Sequence, residues 1–254
     1  MPLETRPPLV RSPRLDARNG GPAAAPTAAE PAGTWHVIVP VKRFELAKTR
    51  LAAAYPPEAR AALARGFAAD VLAAVRAAAS VRGLTVVGDA RAAADADEGS
   101  PHSRVPVHHL AEPPTGGLRR AIALAAGKAE RGGADRIAVL LADLPALRAA
   151  ALDGVLAAAA AHDRSFVADA NGTGTTFAAA TVPGVEWCFG PDSAARHRRN
   201  GFVELAAPMR FRRDVDGAVD LAEAARLGIG PGTLRARAAA LAAIADAQHR
   251  PASA

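Results

Sequence analysis

The sequence predicts an α/β fold: a mostly parallel sheet with helices on both faces and an antiparallel hairpin insertion late in the chain. Three observations predict this. Strands that are apolar throughout, such as Trp35–Val41 and Ile137–Leu141, alternate with helix-length amphipathic stretches, the pattern of a parallel sheet covered on both sides. Asn171-Gly172, set between two further apolar runs, marks a tight hairpin. Finally, 50% of the 254 residues are hydrophobic but only 4% aromatic, so alanine and small aliphatics must fill a single core.

Residues 1–33 are rich in Pro, Ala, Gly and Arg without apolar periodicity and are expected as a disordered tail. A domain over 34–232 follows, and 233–254 is expected as an alanine-rich C-terminal helix or tail. Trp35–Val41 opens the domain as a buried strand, and a polar loop runs through Lys42 and Arg50. In the first helix Pro56 and Pro57 suit the first turn, Leu63, Phe67, Val71 and Val75 recur along one face, Arg65 and Arg76 fall opposite, and Gly83 closes it. Leu84–Val87 and the weaker Val105–Leu110 are the next strands. Gly117–Arg131 is a helix stopped by Gly132-Gly133, and Ile137–Leu141 is the most apolar strand. Leu152, Val155 and Leu156 mark another helix, and Ser165–Asp169 and Thr176–Val182 form the hairpin. Met209–Val215 reads as a last strand and Val219–Leu227 as a helix.

Composition excludes several classes. A charged fraction of 22% and the lack of any apolar run of bilayer length exclude a membrane protein. The single cysteine, Cys188, forms neither an intrachain disulfide nor a thiolate metal cluster, and the N-terminal residues lack the apolar run of a signal peptide. The expectation is a cytoplasmic protein. Net charge is 31 minus 25, or +6, with much of the excess in Arg196, Arg198, Arg199, Arg210, Arg212 and Arg213. Such a cluster attracts a polyanion or a small phosphorylated substrate. Nucleic-acid surfaces interleave such charges with aromatics, and only Phe202 and Phe211 do so here, which favours the small substrate.

Ligands of open α/β sheets bind beyond the carboxyl ends of the strands. Lys42, Lys48 and Arg50 follow the first strand and suit a triphosphate, although a solvated basic loop has the same composition. Asp143 ends the most apolar strand, and Pro145 is expected to start the next helix. A carboxylate there suits a hard cation such as magnesium, or an N-cap. Asp214 and Asp216 close the last expected strand, where alternation sends them to opposite faces, so only one should share a metal with Asp143. Gly172–Thr176 and Phe189–His197 combine exposed backbone N–H groups with hydroxyls, and Ser193 suits a helix N-terminus. Gly116-Gly117 before the third helix suits a nucleotide or a plain turn.

Taken in order, Val39-Pro-Val-Lys42, Ala47–Leu51, Ala142–Leu147, Ser165–Asp169, Gly172–Thr175, Phe189–Arg199 and Asp214-Val-Asp216 resemble one family over roughly residues 35 to 232. It is the guanylyltransferase family of coenzyme F-420 biosynthesis, and the match is similar to its branch acting on phosphoenolpyruvate. The resemblance implies a nucleotidyltransferase (GT-A/Rossmann-like) fold, GTP as donor, a small phospho-acid as acceptor and magnesium as cofactor. It makes Asp143 and Asp214 the metal carboxylates, with Asp216 as the alternative. Thr175, Gly190 and Ser193 would contact phosphoenolpyruvate, while Lys42, Arg50 and Gly117 would hold the nucleotide, Lys42 and Asp143 being catalytic. 2-Phospho-L-lactate and 3-phosphoglycerate are alternative acceptors. The family often reads Gly-Leu-Asn where this chain has Gly117-Leu-Arg119, and Asp-Val-Asp-Thr where it has Gly217. A GT-A-like glycosyltransferase and a non-catalytic nucleic-acid binder are the readings from other classes.

Overall fold

A computed structural model describes residues 35–46, 48–99 and 103–249; the tail expected over 1–33 lies outside them, as do 250–254. The sheet has seven strands in the order β3-β2-β1-β4-β6-β5-β7. β1 (Trp35–Val41) sits in the middle because it has no polar face to offer solvent, and it pairs parallel with β2 (Val81–Gly88) and β4 (Ile137–Leu140). β3 (Val107–Leu110) extends the parallel set. β6 (Thr175–Ala180) runs antiparallel between β4 and β5 (Arg164–Ala168), as the Asn171-Gly172 turn requires, and Gly172 takes φ 76° there.

Helices cover both faces. α1 (Pro57–Ala77), α2 (Ala90–Gly99) and α4 (Ala149–Ala159) pack on the core that holds Val37, Val39, Leu140 and Phe177. α3 (Gly117–Arg131) and α5 (Ser193–Arg199) cover the other face, against Ile38, Val139, Phe166 and Ala178. A third cluster joins Leu51, Leu63 and Phe67 to Val215 and to Leu221 on α7 (Ala218–Leu227). It seats the 213–217 segment over the carboxyl end of β4, where the Val215 N–H donates to the Asp143 carbonyl at 3.0 Å. α8 (Pro231–His249) starts just ahead of the 233–254 segment and docks on α1, with Gly66 facing Gly232 and the buried Asp70 capping its first turn.

Several expectations are corrected. Met209–Val215 is not a strand: Pro208 leads into the short helix α6 (Met209–Arg212), and the chain then runs extended without a ladder partner. The edge is instead the two-residue β7 (Val203–Glu204), parallel to β5. Gly83 does not close α1, which ends at Ala77; it lies inside β2. Pro145 lies in a turn, and α4 begins at Ala149. Arg76 is not solvated: its buried guanidinium reaches Asp97 on α2 at 2.9 Å. α2 itself has no counterpart in the sequence reading, since its Ala and Asp residues lack a stripe of large apolar side chains.

Candidate active site

The chain turns back on itself between β1 and β4. After β1 it builds outward through β2 and β3; then it returns, and β4 starts the other half. A crevice opens at such a reversal, beyond the carboxyl ends of the two strands. Here it is a cleft of about 360 Å³ lined by Lys42, Lys48, Arg50, Leu118, Asp143 and Asp216 among others. Lys42 and Arg50, expected on the triphosphate, are both exposed at its rim. Gly117 lines a neighbouring open cleft at the ends of β2 and β3, and takes φ 58° as it opens α3.

Lys48, grouped with Lys42 and Arg50 in the basic loop but given no place by the resemblance, turns into the cleft. Its backbone takes φ 55°, uncommon for a residue with a side chain, and its ammonium lies 2.7 Å from Asp143 Oδ2 and 3.3 Å from Asp216 Oδ1. Burial alone would lower its pKa, but the charge of Asp143 and the hydrogen bond to it outweigh burial and hold the ammonium above its ordinary value. Arg50 reaches Asp216 at 3.3 Å in a pair open to water and therefore weak. Without a strand at 209–215, the alternation argument for Asp214 and Asp216 lapses. Asp216 shares Lys48 with Asp143 and lines the cleft. Asp214 sits deeper, and burial, with the charges of Asp143, Asp216 and Asp169, pushes its carboxyl up to about 7.

This crowding bears on metal binding. Asp143 Oδ1 is buried without a hydrogen-bond partner, and burial together with the neighbouring carboxylates favours the neutral form of Asp214. Both features fit a hard divalent cation held through oxygen. Among the described residues no group of three or more His, Cys, Asp or Glu closes around an ion. One or two carboxylates, with phosphate oxygens and water completing the shell, is the arrangement magnesium accepts. Asp143 with Asp214 or Asp216 would hold it.

The second half of the site lies along the same edge, because β6 runs antiparallel to β4 and therefore starts where β4 ends. Thr175 opens β6 and is buried; Ser193 opens α5 and is buried; Gly190 is exposed with φ 108°. Asp169, which the sequence reading placed at a strand end without a role of its own, fixes the hairpin between them: its carboxylate accepts from the Thr173 N–H at 3.0 Å and the Gly174 N–H at 2.8 Å. A side chain at Gly174 would collide with that carboxylate. The Ala194 N–H donates to the Thr173 carbonyl at 3.1 Å, tying α5 to the hairpin. The Arg196 guanidinium donates to the carbonyls of Cys188 and Phe189, which shapes the turn before Gly190. Thus one part of the edge carries Lys42, Lys48, Arg50, Asp143, Asp214 and Asp216, and the other carries Thr175, Gly190 and Ser193.

Comparison with known proteins matches this architecture. The family model described as "Guanylyl transferase CofC like" matches residues 35–199. A phosphoenolpyruvate guanylyltransferase of Streptomyces scabiei is 44% identical over 215 residues, covering 80% of this chain and 96% of the relative. One of Mycobacterium marinum is 41% identical over 213 residues, covering 82% and 95%. Among solved structures, a protein of Desulfovibrio desulfuricans described as a nucleotide-diphospho-sugar transferase is similar in fold, with a TM-score of 0.55 at 21% identity over 74% of this chain and 85% of that one. The match over the strand ends that build the cleft, together with relatives alike along most of both chains, shows that this chain is a guanylyltransferase and belongs to the CofC-like guanylyl transferase family.

Proposed function

We propose that the protein joins the GMP unit of GTP to the phosphate of phosphoenolpyruvate and releases pyrophosphate, a step of coenzyme F-420 biosynthesis. The observation that carries this reading is the pairing of a cation-rimmed cleft at the β1/β4 reversal with the hydroxyl residues Thr175 and Ser193 on the same sheet edge. Two polyanions must be brought together, and each half of the edge suits one of them. Lys42, Lys48 and Arg50 face the triphosphate, with Gly117 towards the nucleoside. Thr175, Gly190 and Ser193 take the phospho-acid through hydroxyl and backbone donors, which are strong when the acceptor is charged.

A phosphate oxygen of the acid attacks the α-phosphorus of GTP in line; the new P–O bond forms as the bond to the β-phosphate oxygen breaks, and pyrophosphate leaves. The attacking phosphate is ionised at neutral pH, so no general base is needed. Asp143, which accepts a hydrogen bond from Lys48, would hold the cation. Magnesium, held by Asp143 with Asp214 or Asp216, would supply charge neutralisation for the phosphate groups. Lys42 and Arg50 offset the charge that grows on the departing pyrophosphate.

Mass spectrometry of the products formed with GTP, magnesium and each of phosphoenolpyruvate, 2-phospho-L-lactate and 3-phosphoglycerate tests the reading. The expected product is the guanylylated phosphoenolpyruvate together with pyrophosphate. A guanylylated product from 2-phospho-L-lactate alone would move the acceptor, and release of GDP in place of pyrophosphate would refute guanylyl transfer.

A further inference from the structure

His197 lies wholly inside the protein, ringed by aromatic side chains. Phe166 stacks on it at 5.4 Å between ring centroids, and Phe189 and Phe202 meet it edge-on at 5.3 and 4.7 Å. In such surroundings the ring's polar contacts are those its two nitrogens make. Nε2 lies 3.2 Å from the backbone N–H of Cys188, a group that can only donate, so Nε2 accepts and is unprotonated. A neutral imidazole must then carry its proton on Nδ1. Burial, helped by the charge of Arg196 and opposed by a hydrogen bond from the ring to the Ser193 backbone, keeps the ring neutral by lowering its pKa to about 4.

Nδ1 is 3.0 Å from Thr175 Oγ1. Because Nδ1 bears the proton, which it shares between the threonine oxygen and the Ser193 carbonyl one turn back on the helix, the threonine oxygen can only accept from the ring, and the hydroxyl's own proton must point away from it. A β-bulge makes this meeting possible. Val167 pairs with Phe177, yet Ala168 pairs with Thr175, so Thr176 is an extra residue and Thr175 turns to the side of the sheet that α5 covers. The other ring nitrogen holds the backbone at Cys188, two residues before Gly190, and Ser193 stands one helical turn before His197 on the same helix. One ring therefore touches, directly or through a short stretch of chain, all three groups assigned to the phospho-acid.

We infer that His197 is a positioning residue for guanylyl transfer: its fixed tautomer turns the Thr175 hydroxyl into a donor aimed at the phospho-acid, and its second nitrogen holds the Gly190 turn beside it. This rests on the reading that Thr175 binds the acid. A histidine that was merely core filling would need neither nitrogen, and phenylalanine would serve as well among three phenylalanines.

The test is a double-mutant cycle on the acid's KM, with Thr175→Val, His197→Phe and both together, alongside a direct reading of the tautomer. Each single variant is expected to raise the KM for phosphoenolpyruvate about tenfold, the value of one hydrogen bond to a charged group, with the KM for GTP unchanged. The double variant is expected to fall well short of the product of the two effects, because both remove the same bond. A His197→Phe variant with a normal KM, or effects that multiply, would overturn the inference and leave the assignment of Thr175 standing. A Thr175→Val variant with a normal KM would remove that assignment, and the inference with it. Should His197→Phe fold poorly, long-range proton–nitrogen NMR correlation on the unaltered protein decides: the Nδ1-protonated tautomer at neutral pH is expected, and the Nε2-protonated form overturns the inference.

Discussion

The Lys48 ammonium lies 2.7 Å from the Asp143 carboxylate at the end of the central strand pair, and reaches Asp216 at 3.3 Å. The cation is held in place by the carboxylates that would otherwise repel an incoming triphosphate. Its removal does two things at once: it leaves the acidic group uncompensated and takes a positive charge from the cleft.

Lys48→Met should therefore lower kcat/KM by a factor on the order of a hundred to a thousand, the range seen when one preorganised charge or donor is lost. Exposed Arg50, whose pair with Asp216 is open to water, should cost about tenfold or less as Arg50→Gln. Steady-state kinetics with GTP varied at saturating acid separates the two. Equal losses would show that Lys48 does no more than a surface cation.

Removal of carboxylates distinguishes their roles. Asp143→Asn should abolish turnover, a loss of several kcal/mol of transition-state stabilisation, with the melting temperature kept. Asp214→Asn and Asp216→Asn then decide which carboxylate works with it: the metal partner raises the magnesium concentration needed for half-maximal activity, and the other does not. Activation by titrated magnesium is the measurement, and two variants with unaltered magnesium dependence would remove both from the ion.

Much of this edge was legible in the sequence, and the gaps have physical causes. Apolar runs announced β1, β4 and the hairpin, and a carboxylate straight after the most apolar strand pointed to Asp143. Lys48 stood in a flagged loop, but a positive φ at lysine has no sequence signal, so its turn towards Asp143 could not be foreseen. Asp214 and Asp216 were judged by strand alternation, which fails because Pro208 starts a helical turn and Val215 bonds to the Asp143 carbonyl instead of a ladder. The bulge that turns Thr175 towards His197 depends on pairing across two strands, which a single chain's periodicity does not record.

Asp70 carries a separate expectation, on stability. It is buried on α1, and its carboxylate accepts from the N–H groups of Gly232 at 2.8 Å and Thr233 at 2.9 Å, capping α8. Asp70→Ala should cost about 2 to 3 kcal/mol, because two buried donors lose their partner. Gly66→Ala should also destabilise, since its methyl would lie 2.9 Å from the Gly232 carbonyl oxygen where the helices touch. Urea denaturation reads both, while activity per folded molecule should stay normal, as α8 docks away from the cleft. A wild-type midpoint in Asp70→Ala would show that water satisfies the α8 N-terminus unaided.

Two buried histidines withdraw their contribution to the fold in a defined window of acid pH. The pKa values of His36 and His197 are each lowered from 6.5 to about 4, chiefly by burial, with the charges of His108 and Arg196 adding to the effect. Between those values the unfolded chain binds protons on these two rings that the folded chain refuses, so the histidines' contribution to stability is full above pH 6.5 and is lost as pH drops towards 4, while Asp214, pushed up to about 7, acts in the opposite direction over the same range. For the fully enclosed His197 the loss reaches at most about 3 kcal/mol; for the half-buried His36, whose Nε2 meets Thr85 Oγ1 at 2.8 Å, it is smaller. Because Asp214 offsets part of the loss, the histidine contribution is read as the difference in urea midpoints between the unaltered protein and His197→Phe from pH 8 to pH 4.5. His197→Phe should lie lower at pH 8, having lost the ring's hydrogen bonds, and its difference from the unaltered protein should narrow below pH 6.5, since one of the two titrating rings is gone. An unchanged slope in that variant would show that His197 takes up its proton in the folded protein as readily as in the unfolded chain.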